Sequence, residues 1–360
     1  MIESALISTD DTTMKENLKY FKGSLVMSVI GVLLGAAIGH YYTGTVAGAL
    51  QAAFIVSVLG ILEVSLSFDN AVVNATVLKD MSPEWRSRFI TWGIAIAVFG
   101  MRVVFPLAIV SIIAHVGPIA AIVMAATQPD QYSAILVSAH VSVSAFGGAF
   151  LAMVGLKHFI DAEKEVFWIS WIERPLAMLG RVDTVQIGLV LLLILGVSTQ
   201  LGVHEELTFV IAGVFGVLMY IAVDGIGSLL DAEAAAEGVA LRSGLASFLY
   251  LEVLDASFSF DGVIGAFALS NNLFIIAIGL GIGAMFVRSL TIMLVEKGTL
   301  AEYKFLEHGA FYAILSLAVI MFLKTFIEVP EVVTGLLGAG FILVALLSSL
   351  RHNKLEAAAG

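Results

Sequence analysis

The sequence contains no cysteine, which excludes disulfides, thiolate metal sites and cysteine nucleophiles while leaving the compartment open. Charge is scarce as well. Asp, Glu, Lys and Arg make up only 13% of the 360 residues, against ~25% in an ordinary soluble domain. So few charges cannot cover the surface of a soluble fold of this size. Basic charge is scarcer still, with 18 Lys and Arg against 29 Asp and Glu and a net charge of −11. No basic surface is left to neutralise phosphates, so nucleic acid is not an expected partner. The start does not read as a cleavable secretion signal either. Residues 1–23 are largely polar, and the apolar run after them has no small-residue cleavage site.

What the chain has in abundance is apolar sequence: 59% hydrophobic residues and a mean hydropathy of +1.01. The lipid bilayer is therefore the expected solvent. A membrane span needs ~20 mostly apolar residues. Such runs fall at 24–40, 45–78, 89–114, 132–156, 186–201, 208–230, 243–269, 272–295, 306–323 and 333–349. The expected fold is an all-α polytopic membrane protein of about ten transmembrane helices. The second run is long enough to be tilted or broken, and 115–131 reads as an interfacial or re-entrant piece.

The basic residues test this count. With the N-terminus inside, Lys15, Lys19, Lys22, Lys79, Arg86, Arg88, Lys157, Lys164, Arg174, Arg181, Arg242, Lys297, Lys304, Arg351 and Lys354 all fall on the inner side, and only Lys324 falls outside. That bias follows the positive-inside rule and predicts that both termini are cytoplasmic.

An internal repeat is visible by eye. EVSLSFDN at 63–70 matches DASFSFDG at 255–262; Arg102 matches Arg288, each inside an apolar run; LKHFID at 156–161 matches LKTFIE at 323–328. His140 and His308 precede those last two runs at similar distances. Five spans separate the matched units, an odd number, so the halves should be inverted in the membrane, an arrangement of transporters that bind substrate near the midplane. The expected organisation is a tail at 1–23, a first helix and connection at 24–44, repeat half 1 at 45–161, a connecting segment with two helices at 162–242, repeat half 2 at 243–328, and a last helix and tail at 329–360.

Intramembrane charges are costly and usually mark an ion path or a buried pair. The spans hold Glu63, Asp69, Asp224, Glu252, Asp255 and Asp261, together with Arg102 and Arg288. The repeated core sets Glu63, Asp69, Asp255 and Asp261 against the two arginines, so charge pairing alone leaves an excess that a divalent cation or two protons would balance. Asp224 and Glu252 are left without a role. At ~100° per residue, Glu63, Ser67, Asn70 and Asn74 share one helix face, while Asp69 lies about 120° away. A break near Phe68–Asn70, and near Phe260–Gly262 in the second copy, would let the acids converge. The alternative is a continuous helix with Ser hydroxyls bonded back to the preceding turn. Carboxylate, amide and hydroxyl oxygens are hard donors suited to Mn²⁺, Mg²⁺ or Ca²⁺. The metal ligands expected are Glu63, Asp69, Asn70, Asp255 and Asp261, supported by Ser67, Ser259 and Asn74. Arg102 and Arg288 are expected to pair with acids, and His140 and His308 are candidate proton carriers. Gly279–Gly283 fits a close helix–helix contact. No catalytic constellation and no resident cofactor are expected.

EVSLSFDNAVVNA at 63–75 and DASFSFDGVIGAFAL at 255–269 resemble the TerC family of integral membrane proteins, named for tellurium resistance, within the wider LysE-type transporter group. The resemblance is nearest to that family's longer, less characterised branch and covers most of 45–330. It implies a secondary transporter exporting a divalent cation, Mn²⁺, across a bacterial-type plasma membrane, with the acidic motif residues carried by Glu63, Asp69, Asn70, Asp255 and Asp261. Gly262 stands where the first copy has Asn70, so one amide ligand is missing from the second copy. Two other classes stay open: a non-transporting scaffold or sensor in a metal-stress response, and an intramembrane aspartyl protease using Asp69 and Asp261. The protease reading lacks a Gly-x-Gly-Asp signature. Nothing in the sequence indicates an oligomer.

Overall fold

The structure, a computed structural model, describes residues 2–359 apart from 94, 183 and 237–243. The side chains of 2–15, 97, 204, 227, 230–236, 260, 261, 331 and 359 also lie outside the described residues. The expected ligand Asp261, and Lys15 and Arg242 on the expected inner face, are thus outside the side-chain description.

Among the described residues the protein is helical throughout, with no strand. α1 (Ile2–Thr43), α2 (Val46–Leu66) and α3 (Phe68–Leu78) come first. The short α4 (Pro83–Arg88) leads into two π-helical segments, π1 (Phe89–Gly93) and π2 (Ile96–Val104), and then α5 (Phe105–Ile113). α6 (Pro118–Thr127) and α7 (Pro129–Ser138) are short; α8 (His140–Phe159) is long. α9 (Ser170–Leu179), α10 (Val185–Ser198) and α11 (Val203–Ala236) form the connection. α12 (Gly244–Ala266), α13 (Leu273–Glu296), α14 (Thr299–Glu302), α15 (Leu306–Leu323) and α16 (Glu331–Ala359) complete the chain.

Among the described residues, seven helices are long and apolar enough to cross a membrane: Glu16–Thr43 within α1, α2, α8, Glu205–Ile226 within α11, α13, α15, and Val332–Ala358 within α16. Pro83–Gly93 with Val98–Ile113, bent by 40°, makes an eighth if the pair counts as one span. The chain is a multi-pass membrane protein. Several expected spans have a different form: the run 132–156 falls on α7 and α8, and α12, in the run 243–269, is not among the seven. The run 45–78 is broken into α2 and α3 at Ser67, and the run 186–201 yields only the 14 residues of α10, short of the ~20 needed to cross the hydrocarbon alone.

Local chemistry sets several of these ends. Thr45 caps α2 by accepting from the Gly48 N–H, after Gly44 turns the chain at φ +67°. Asn272 caps α13 by accepting from Phe274 and Ile275 N–H. The most apolar stretches of α8 and α15 are each 67% buried and that of α13 61%, whereas that of α1 is only 17% buried. α8, α13 and α15 therefore form the centre and α1 presents leucines and valines to lipid. The main core gathers Phe150, Leu151 and Met153 of α8 with Phe209, Leu251 and Ile314. Gly279 and Gly283 of α13 face α2, where a Cβ on Gly283 would overlap the Glu63 side chain and one on Gly279 would meet Leu59. The two glycines let α13 and α2 approach closely enough to position Glu63.

Candidate functional site

The break after α2 creates the first half of the site. Ser67 leaves helical geometry at φ −104°, ψ 18°, while its N–H still donates to the Glu63 carbonyl at 2.9 Å. α3 then starts afresh at Phe68, one turn beyond Glu63. Glu63 is 3% exposed, and its Oε1 accepts from an Arg102 guanidinium nitrogen at 2.5 Å and from the Ser67 hydroxyl at 3.3 Å. Arg102, also buried, comes from π2. π-Helical turns offset the side chains that follow and recur at functional sites.

A cavity of about 40 Å³ opens beside this pair, enough for roughly three waters at ~10–15 Å³ each. α2 and α3 contribute Glu63, Ser67, Asn70 and Asn74; π2 contributes Arg102; α12 contributes Glu252 and Asp255; α13 contributes Arg288. Asn70 Oδ1, Asn74 Oδ1, both Glu252 carboxylate oxygens and Asp255 Oδ2 are buried without a hydrogen-bond partner. Buried polar atoms are normally satisfied, so five orphaned oxygens on residues around one cavity define a site rather than a packing defect. Glu252 has room because Gly93 faces it: a Cβ there would stand 3.0 Å from its Oε1. With Glu63 bound to Arg102, the remaining charges among the described residues are Glu252, Asp255 and Arg288, and the Arg288 Nε is likewise unpartnered.

The other expected residues sit elsewhere. Asp69 does not line the cavity. Its Oδ1 accepts from the Asn70 N–H at 2.9 Å in the first turn of α3, where the helix dipole favours a carboxylate. Its Oδ2 faces α16, 2.9 Å from where a Gly338 Cβ would be. Ser259 is buried with an unpartnered hydroxyl but does not line the cavity. Helix α12 runs unbroken through Phe260–Gly262; one glycine costs a helix only ~1 kcal/mol, and Ser257 bonds back to the Val253 carbonyl at 2.9 Å. His140 bonds to the Val137 carbonyl at the start of α8. His308 contacts the Val166 carbonyl at 3.0 Å and a Glu173 oxygen at 3.5 Å, outside the cavity.

Two acids carry weight that the sequence does not announce. Glu252 is legible as the i−3 neighbour of Asp255 on one helix face, yet nothing in the spacing assigns it to the cavity. Glu173 is fully buried and pins the α8–α9 connection to α15. It accepts from the Trp168 and Ile169 N–H groups and the Tyr312 hydroxyl, with Lys164 at 3.8 Å. Burial pulls the pKa of Lys164 below the ordinary lysine range, against the pull of Glu173 in the other direction. Among the described residues, no group of three or more His, Asp or Glu side chains converges as a ready-made metal cage. A cation here would rest on two carboxylates with amide oxygens beside them.

Residues 68–356 match the family described as protein of unknown function DUF475, and a match over most of the chain places this protein in that family. No curated protein and no solved structure matches it.

Proposed function

We propose that the protein is a secondary transporter that exports a divalent cation, Mn²⁺ first among them, through the intramembrane cavity between α2, α3, α12 and α13. The observation that carries this reading is the set of five unpartnered oxygens from Asn70, Asn74, Glu252 and Asp255 around that cavity. They are all hard donors, the kind that Mn²⁺ and Mg²⁺ prefer. A cation would satisfy them together and face the two carboxylates that Arg102 leaves free, a charge that Arg288 reduces to −1 among the described lining residues. Glu63 then serves through its pair with Arg102, and Arg288 limits the negative charge of the empty cavity.

Two further features support the reading. The motifs at 63–75 and 255–269 resemble the TerC family. The helix contacts also fit two inverted halves within a ten-span chain: α2 packs on α13, its counterpart α12 packs on π2, and the corresponding helices α8 and α15 pack on each other. The Glu63–Arg102 bridge alone would serve a non-transporting scaffold equally well. Cation binding also gives the orphaned oxygens a role, which the bridge alone does not.

Calorimetric titration of the purified chain with Mn²⁺ tests the proposal, with Asp255→Asn as the contrast. The parent should bind, and the variant should bind at least ~10-fold more weakly, about 1.4 kcal/mol. Equal binding, or no binding by the parent to any divalent cation, overturns it.

A further inference from the structure

A second and larger cavity, about 490 Å³, lies next to the first. The two share their walls. On α3, Asn70 and Asn74 line the inner cavity while Thr76, Val77 and, just past the helix end, Asp80 line the outer one. On α12, Glu252 and Asp255 line the inner cavity while Ser247 and Tyr250 line the outer one. At 1.5 Å of rise per residue, the nearest lining positions are separated by only ~3 Å along each helix. The cavities are thus stacked along the same two helices. Glu252 sits at the junction, 8% exposed, with neither carboxylate oxygen partnered.

The outer wall is charged. Asp80, Asp161, Asp224 and Glu307 face Lys157 and Lys164, an excess of two negative charges with His158 neutral. Lys79 and Glu173 at the edge cancel in this count, being bound to Glu307 at 3.0 Å and near Lys164 at 3.8 Å. Lys157 lies 4.0 Å from Asp224. Each lysine therefore has a carboxylate within 4.0 Å, whereas among the described residues Asp80 and Asp161 make no ion pair that close, Asp161 acting on Lys164 only from farther off. A concave, acid-rich wall focuses its field and concentrates cations inside.

We propose that the outer cavity is a water-filled, cation-attracting vestibule through which the cation reaches the inner site from the face carrying the α3–α4 and α8–α9 connections. The proposal deepens the transport reading and rests on it for the cation's destination, but the vestibule has its own test.

The chain has no native cysteine, so Ser247→Cys introduces a single thiol in the vestibule wall by a near-isosteric change. Thr76→Cys reads the same space from α3 and stands in if the first variant does not fold. Glu84→Cys, exposed on α4, marks the face. The full chain is reconstituted in vesicles of one orientation and treated with membrane-impermeant thiosulfonates, one cationic and one anionic. Ser247→Cys should label only from the side that labels Glu84→Cys. Normalised to that exposed thiol, the cationic reagent should be favoured by roughly 5-fold at low ionic strength, a modest case of field focusing. The preference should collapse near 1 M salt, where the screening length is about 3 Å.

No labelling of either wall thiol, labelling from the opposite side, or an equal preference for both reagents overturns the vestibule. A parent that carries no divalent cation while Ser247→Cys still labels as described overturns the transport reading and leaves the vestibule standing.

Discussion

Arg102 and Glu63 hold each other at 2.5 Å with each residue 3% exposed, so neither can lose the other cheaply. Removing one partner of a buried pair costs ~3–5 kcal/mol, because a bare charge remains. Arg102→Met should lower unfolding stability in detergent by that amount, and Glu63→Gln with Arg102→Met should recover most of it. A double variant as unstable as the sum of its parts would show that the pair is not the unit described. Glu252 should behave in the opposite way. With no partner for either oxygen, Glu252→Gln should leave the melting temperature of the cation-free protein unchanged or raise it, while weakening Mn²⁺ binding. A lower melting temperature with binding intact would make Glu252 structural. Lys164 gives a pH signature. Burial depresses its native pKa, so between that pKa and the ordinary value of ~10.4 the unfolded chain binds more protons, and the contribution to stability rises with pH. Melting curves from pH 8 to 10 should show the parent gaining on Lys164→Met; parallel curves would contradict the assignment.

At the scale of helices, the approach of α13 to α2 depends on Gly283, where any Cβ would press on Glu63. Gly283→Ala should cost ~1–3 kcal/mol as an overpacked contact and, unlike a surface change, should also weaken cation binding by moving Glu63. Stability loss with unchanged affinity would separate the helix contact from the site. This contact was readable in the sequence, because small residues four apart in an apolar run have few other uses. The break between α2 and α3 was nearly readable too, falling at Ser67 where Phe68–Asn70 was expected. Its counterpart in α12 did not form, since Gly262 sits inside a helix that its neighbours complete. The motif gave Glu63, Asn70 and Asp255 as cavity residues but not the direction of Asp69, because the first turn of α3 fixes that carboxylate on the Asn70 N–H. Nor could spacing reveal π1 and π2, which share the composition of an α-helix and change only the register at which Arg102 arrives. Glu173 was hidden for a similar reason: its partners are backbone groups, which leave no trace in a sequence.

The whole molecule is a bundle whose central helices are α8, α13 and α15, with α1 exposed to lipid, and the positive-inside rule would put the connections that carry its basic residues on one face. If both termini lie on that face, reporters fused to either end should be active in the same compartment. Opposite results would remove the ten-span count and the inverted halves together. The central claim is that the inner cavity carries a divalent cation. It is tested most directly by Mn²⁺ flux through the reconstituted chain, scanned against Mg²⁺ and Ca²⁺ with an imposed pH gradient and with Asp255→Asn in parallel. The account predicts saturable Mn²⁺ flux in the parent and its loss, by at least ~10-fold, in a variant that retains the fold. A parent whose vesicles leak Mn²⁺ no faster than protein-free ones, or an Asp255→Asn variant that matches the parent, would contradict it.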